Sequence, residues 1–277
     1  MYGYGAVYGG GCNDIIRGTS SALLKDKACI GNEQNKPGAS VASQGQVGVI
    51  TPMSRAAKSG CYLGGAQYQD LPVIKNEGKS DYAAQAEVAG GTVDVLMASV
   101  KSRMASEQPT KTCQGNVRLT QSGGAVHAIE GGSVYSKNLI VDGNVDILIT
   151  GGTTEEYILG RYDTSNLGHS EIKGNCTLTF SGCGSADAFR MSPLIWAMDS
   201  VHVTDNAHVA VFGDHTFFDS NKKPFTVPLY RVKDLTIDKG STLAFKQNAN
   251  IEGNLVVNGA LNMARVKPVF SLRDPKA

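Results

Sequence analysis

Five segments in the C-terminal half share one pattern, and it restricts the chain to β-architectures. They are Leu139–Ile149, Ser170–Phe180, Val201–Val211, Leu235–Phe245 and, shortened, Leu255–Met263. With Val141, Ile172, Val203, Ile237 and Val257 as reference positions, apolar or small residues recur at −2, 0, +4, +6 and +8. A spacing of two places side chains on one face of a strand, whereas a helix needs three and four. The connecting residues are Asp142-Gly143-Asn144, Lys173-Gly174-Asn175, Thr204-Asp205-Asn206 and Asp238-Lys239-Gly240. These types tolerate positive φ and close turns. Each copy therefore reads as strand, turn, strand. A third strand is expected from Pro193-Leu-Ile-Trp-Ala-Met-Asp199 and Pro228-Leu-Tyr-Arg-Val-Lys-Asp234, since proline suits a strand's first residue.

The reference residues are spaced 31, 31, 34 and 20 apart. A propeller blade needs about 40–45 residues and often a Trp-Asp pair, which is absent here. The spacing predicts an all-β fold, a right-handed parallel β-helix (solenoid) with loop excursions. Adjacent coils would stack equivalent residues about 4.8 Å apart. Val141, Ile172, Val203, Ile237 and Val257 would then form one inward column. Composition agrees: glycine is abundant at 33 residues and charged residues make up only 18%, against a usual ~25%.

Three regions are expected: irregular N-terminal coils with long loops over 1–116, regular repeats over 117–263, and a C-terminal tail or cap over 264–277. Segments 13–45 and 97–115 read as loops leaving the coil, and Ser54–Ser59 or Leu96–Met104 as short helices. The proline-bearing tail after Met263 would cover an edge otherwise open to pairing.

A net charge of +1 gives no electrostatic case for nucleic acid. No apolar stretch approaches the ~20 residues of a membrane span. The opening Met1-Tyr-Gly-Tyr-Gly lacks a basic region and an apolar core, so no signal peptide is read there. The six cysteines, Cys12, Cys29, Cys61, Cys113, Cys176 and Cys183, include no C-x-x-C and read as free, mostly buried thiols.

Chemistry would lie at the outward positions. These are Asp142, Lys173, Thr204 and Asp238 at +1, Asp146, Thr177, His208 and Thr242 at +5, and Ile140, Glu171, His202 and Thr236 at −1. They read as a solvated polar strip. Asp142, Asp146 and Lys173 come nearest to a lyase-like set, in which acidic residues hold Ca²⁺ and a base takes a proton. His127, His169, His202, His208 and His215 are scattered; His202 and His208 flank one turn, with Asp205 the nearest third ligand. The Asn175-Cys-Thr177 sequon has its cysteine predicted inward. Tyr157, Tyr162, Phe189, Trp196, Phe217, Phe218 and Tyr230 read as core or capping aromatics, and as the first place to seek a glycan surface. No catalytic residue, metal ligand or cofactor is assigned, and ligand-binding residues stay unassigned.

The Val7-Tyr-Gly-Gly-Gly11, Gly90-Gly-Thr-Val-Asp-Val95 and Leu235-Thr-Ile-Asp-Lys-Gly-Ser-Thr-Leu243 stretches resemble those of large, adhesin-like β-helix proteins on the surface of gut bacteria, of the pectate-lyase-like solenoid type. The resemblance implies an extracellular or cell-surface segment that contacts glycans or host proteins without enzymatic activity and continues in a longer chain. Such relatives carry a signal peptide and an anchor, neither of which is read here. The alternatives are a carbohydrate-active lyase or hydrolase of the same fold, and a trimerising fibre module.

Overall fold

A computed structural model of the chain describes residues 6–8, 15–30, 49–51, 73–98, 110–132, 139–161, 170–211, 216–218, 224–226, 230–245 and 249–263. These residues form strands and turns, with no helix among them. Every strand pairing is parallel except one hairpin, Thr216–Phe218 with Pro224–Thr226. The largest sheet has 15 strands and curls through the long strand Leu194–Thr204 into two arms.

The first arm stacks Ser20–Leu24, Ala84–Val88, Val117–Gln121, Val145–Ile149, Cys176–Ser181, the second half of Leu194–Thr204, the second half of Tyr230–Ile237, and Leu255–Val257. The second arm includes Thr92–Met97, Ala125–Glu130, Thr153–Leu159 and the first halves of the two long strands. A five-stranded sheet runs from Ile15–Ile16 to Ser170–Ile172, and a four-stranded one from Arg190–Ser192 to Ala260–Asn262.

Alternation along the first arm matches the sequence reading. Val117, Leu119, Val145, Ile147, Ile149, Cys176, Leu178 and Phe180 are buried, and the residues between them are half-buried. They belong to one apolar core. The third strands also exist, with Ile195 opposite Tyr230 and Trp196 opposite Arg231.

The single inward column does not hold. Val141 pairs with Ile172 in the five-stranded sheet. Val203, Ile237 and Val257 pair in the large sheet, and Val203 lies over Phe180. The column that runs the length of the first arm is Leu24, Val88, Gln121, Ile149, Phe180, Val203, Ile237 and Val257. Only 23 residues separate Phe180 from Val203, so one side of that pass is missing.

The cause is a side chain standing where a strand would lie. Arg161 Nη1 donates to the Ile172 carbonyl at 2.6 Å, and Nη2 donates to the Gly174 carbonyl. Arg161 Nε donates to Asp199 Oδ2 at 2.7 Å, and the same oxygen accepts the Cys176 N–H at 2.7 Å. The guanidinium therefore satisfies carbonyls on the edge of the five-stranded sheet that a next strand would otherwise bind. The chain bends instead, with Ala197 at φ 57° and a bulge between Trp196 and Met198, and drops onto Cys176–Ser181.

Two loop readings are also corrected. Segment 13–45 contains the strands Ile15–Ile16, Ser20–Leu24 and Cys29–Ile30, and segment 97–115 contains Thr110–Gln114. Ile15–Ile16 and Cys29–Ile30 are two residues long and Thr110–Gln114 carries a single apolar residue, Cys113, so they do not stand out without a partner strand. Leu96 and Met97 lie in a strand, not a helix; Ser54–Ser59 and the tail 264–277 fall outside the described residues. Replacing Arg161 with Ala should lower the unfolding free energy by about 0.5–1.5 kcal/mol, the usual net worth of a hydrogen bond whose groups water can reach once the side chain is gone. Urea unfolding of the two proteins checks this.

Candidate functional site

The repeat turns work by two mechanisms. At the corner before the first arm, Asn116 Oδ1 accepts the Asn144 N–H at 3.0 Å, and Asn144 Oδ1 accepts the Asn175 N–H at 2.8 Å. Asp234 Oδ1 accepts the Asn254 N–H at 2.7 Å in the same manner. Each amide or carboxylate thus ties its turn to the next pass. Gly143 and Gly174 are required there because a Cβ would strike the backbone of the preceding pass. At the later corner positive φ does the turning, at Asp205 (55°), Asn206 (57°) and Gly240 (84°).

Those turns frame the outward face of the first arm. One row across it is Ser21, Gln85, Arg118, Asp146, Thr177, Ser200 and Asp234. A second is Leu23, Glu87, Thr120, Leu148, Thr179, His202, Thr236 and Val256. Neighbours within a row sit one strand spacing apart, about 4.8 Å. Ser200 Oγ donates to Thr177 Oγ1 at 3.0 Å, and Ser122 Oγ donates to Glu87 at 2.5 Å. Tyr82 Oη donates to Asp146 Oδ2 at 2.8 Å, and the Arg118 guanidinium lies 4.6 Å from the Tyr82 ring centre. Burial, and next the bond to Asp146, push the Tyr82 hydroxyl above the ordinary phenol range.

The outward residues expected to form one strip are divided by the change of register. Lys173 Nζ and Asp142 Oδ1 meet at 2.6 Å, as their spacing allowed. Asp146 instead serves Tyr82 on the first arm. Thr204 and Asp238 belong to another corner, where Thr204, Asp205, Asn206, Asp238, Lys239 and Asn258 line an open hollow. His202 lies opposite Thr236 in the large sheet, and His208 opposite Thr242 in the four-stranded one. Asp205 accepts the Ser181 hydroxyl at 2.6 Å. Among the described residues, no three His, Cys, Asp or Glu side chains are grouped to hold a metal ion. His169, His215 and Tyr162 lie outside the described residues.

Sequence reasoning missed His127. Its Nδ1 lies 3.0 Å from Glu155 Oε2 and its Nε2 lies 3.3 Å from Glu156 Oε2. A bulge creates this, since two residues of Thr153–Leu159 face one residue of Ala125–Glu130. The adjacent Glu155-Glu156 pair opposite a lone histidine was the available signal, legible only once the two strands are paired. The glutamates clasp the ring from both sides and join the strands.

A polar knot lies in the interior at Gln121, in the long inward column. Gln121 Nε2 donates to the Thr153 carbonyl at 2.7 Å, and its Oε1 accepts from Thr154 Oγ1 at 2.8 Å and Arg190 Nη2 at 3.0 Å. The Arg190 guanidinium lies 5.5 Å from the Phe180 ring centre. Burial draws its pKa down to about 10. Tyr157 is buried on the strand face opposite Ile158 and donates to Glu130 Oε1 at 2.7 Å.

Cys113, Cys176 and Cys183 are free and buried, in line with the sequence reading; Cys176 does point inward. Burial first, and Asp142 second, raise the Cys113 thiol to about 12. Burial chiefly, then Asp199, also raises Cys176, and burial raises Cys183.

No family model, curated protein or solved structure matches the chain. The geometry therefore stands without a relative to interpret it.

Two outcomes are expected. A thiol whose folded pKa exceeds its unfolded value favours the fold below about pH 9 and loses that contribution as the pH rises toward 12. In native protein at pH 8, Cys113, Cys176 and Cys183 should resist iodoacetamide and react after unfolding, as read by peptide mass spectrometry. Gln121→Leu should destabilise by about 1–3 kcal/mol despite its larger apolar surface, because Thr154 Oγ1 loses its acceptor and Arg190 Nη2 keeps only its bond to Thr154 Oγ1. Thermal or urea unfolding measures the difference.

Proposed function

We propose that the chain is a right-handed parallel β-helix segment, displayed at a cell surface or outside the cell, that contacts glycans or host proteins without catalysing a reaction. Strand-to-strand crossovers in parallel sheets are right-handed in about 98% of cases, which supports the handedness. The resemblance to adhesin-like surface proteins supports the setting.

One observation carries the binding role: the outward face of the first arm presents neutral hydroxyl groups on alternate strands of one row and on two adjacent strands of the other. Thr177 and Ser200 are hydrogen-bonded neighbours, and Thr120, Thr179 and Thr236 recur in the adjacent row. Hydroxyl groups fixed on rigid strands can both donate to and accept from sugar hydroxyls. Because the backbone ladder holds the rows, the surface needs little ordering on binding.

A second reading rests on the Lys173–Asp142 pair, which places an ammonium beside a carboxylate at one corner and would supply a base once Lys173 gave up a proton to solvent. It is the arrangement a polyuronate lyase would begin from, with Lys173 taking the proton beside the uronate carboxylate.

A glycan array probed with the purified chain, read beside product release from polyuronates, separates the two. Binding without release is expected. Thr179→Glu should reduce that binding at least about tenfold while shifting stability by no more than about 0.5 kcal/mol, the usual range for surface substitutions. Release of unsaturated sugars, abolished by Lys173→Met, would replace the binding reading with the lyase.

A further inference from the structure

The outward face of the first arm carries an arginine that no acidic group neutralises. Arg118 lies on Val117–Gln121, which is paired along its whole length on both sides, so its backbone is fixed. In the ladder it stands between Gln85 and Asp146. Opposite charges on neighbouring strands commonly attract into a pair. Arg17 and Arg161 meet Glu77 and Asp199 at 2.8 and 2.7 Å. Arg118, among the described residues, forms neither an ion pair nor a hydrogen bond, and its contact is the Tyr82 ring.

Tyr82 keeps the two charges apart. Its hydroxyl donates to Asp146 Oδ2 at 2.8 Å, and its ring centre lies 4.6 Å from the guanidinium carbon of Arg118. The carboxylate is thus taken by a neutral donor, while the cation rests on an aromatic face that attracts it without cancelling its charge. Burial, and next the bond to Asp146, raise the Tyr82 pKa, so the hydroxyl keeps its proton at neutral pH. Arg118 Nε is buried without a partner, whereas the two terminal nitrogens reach solvent. Terminal guanidinium nitrogens form a planar fork that matches two oxygens of one acidic group. Gln85 is exposed beside them and offers an amide donor and acceptor. Thr120, two residues further along the same strand face, offers a hydroxyl.

We propose, resting on the glycan-binding reading above, that Arg118 on the Tyr82 ring recognises a singly charged acidic group, a carboxylate or a sulfate ester, of a glycan laid across the first arm. The guanidinium binds the acidic oxygens, and Gln85 and Thr120 bind sugar hydroxyl groups beside it. Arg118 gives up no ion pair when the ligand arrives, so little of the attraction is offset. Asp146 and Glu87 are already hydrogen-bonded, to Tyr82 and Ser122. Their charges repel an acidic group placed elsewhere on the face, which fixes its position at Arg118.

Calorimetric titration of the full chain with hyaluronan and dextran sulfate tests this, each beside its uncharged counterpart, carboxyl-reduced hyaluronan and dextran. At least one acidic polymer should bind at least about tenfold more tightly than its counterpart, and the one that does so identifies the carboxylate or the sulfate ester. Arg118→Gln should abolish that preference. Tyr82→Phe should weaken acidic binding, because Asp146 is released to pair with Arg118. Adding Asp146→Asn to Tyr82→Phe should restore it, which a merely structural tyrosine would not allow. The unsubstituted chain decides first, whether or not any variant folds: no binding to either acidic polymer overturns the proposal. Equal binding of charged and uncharged polymers, or a preference that survives Arg118→Gln, overturns it as well and leaves the wider glycan-binding reading in place.

Discussion

The parallel backbone ladder governs this molecule. Each strand of the first arm lies in register on the one before it, so the residue at a given height is fixed by the neighbouring pass and not by its place in the repeat. Side chains on the inner face then meet their counterparts about 4.8 Å apart. The consequences are strict. Corner residues must reach the next turn, which Asn116 and Asn144 do through their side-chain oxygens. Glycine is needed where two turns nearly touch, as at Gly143 and Gly174. A polar residue in the inner column must be answered by its neighbours, as Thr154 and Arg190 answer Gln121.

The same constraint explains how the fold changes course without losing its core. Arg161 and Asp199 close one edge with side-chain hydrogen bonds, and the next strand settles on Phe180 instead of Ile172. At the change the Ile172 and Gly174 carbonyls accept from Arg161, and the Gly160 and Arg161 N–H groups donate to the Trp196 and Ala197 carbonyls, which meets the need of a buried corner for paired backbone groups. Both register frames feed one apolar core, since Ile172 and Val203 belong to the same cluster. The outward surface is where the frame matters most. It decides which polar residues become neighbours, and so creates the Thr177–Ser200 pair.

Much of this was legible in the sequence. The period of two in Val145–Ile149 and Cys176–Phe180 identified both strands and their buried faces. The proline entries at Pro193 and Pro228 marked a third strand. What escaped was pairing, because similar copies admit more than one alignment and period alone does not choose between them. Nothing local to Val203 distinguishes Ile172 from Phe180 as a partner; the choice is made by Arg161, about forty residues upstream. The His127 clasp was hidden for a related reason. Glu155 and Glu156 would point to opposite faces of a regular strand, and only the bulge turns both toward the ring. Asn144 was read as a turn former when its side chain also bridges to the next pass, at the Asn175 N–H.

The register at this change of frame is open to direct measurement. In the structure His202 lies opposite Thr179, whereas the unbroken repeat would place it opposite Glu171. Paired cysteines at neighbouring in-register positions fall within the Cα separation a disulfide allows, about 4.4–6.8 Å. The Thr179→Cys/His202→Cys protein should form an intramolecular disulfide on mild oxidation, and the Glu171→Cys/His202→Cys protein should not. Cross-linking of the Glu171 pair with none of the Thr179 pair would contradict the stacking on which the fold and its outward face depend.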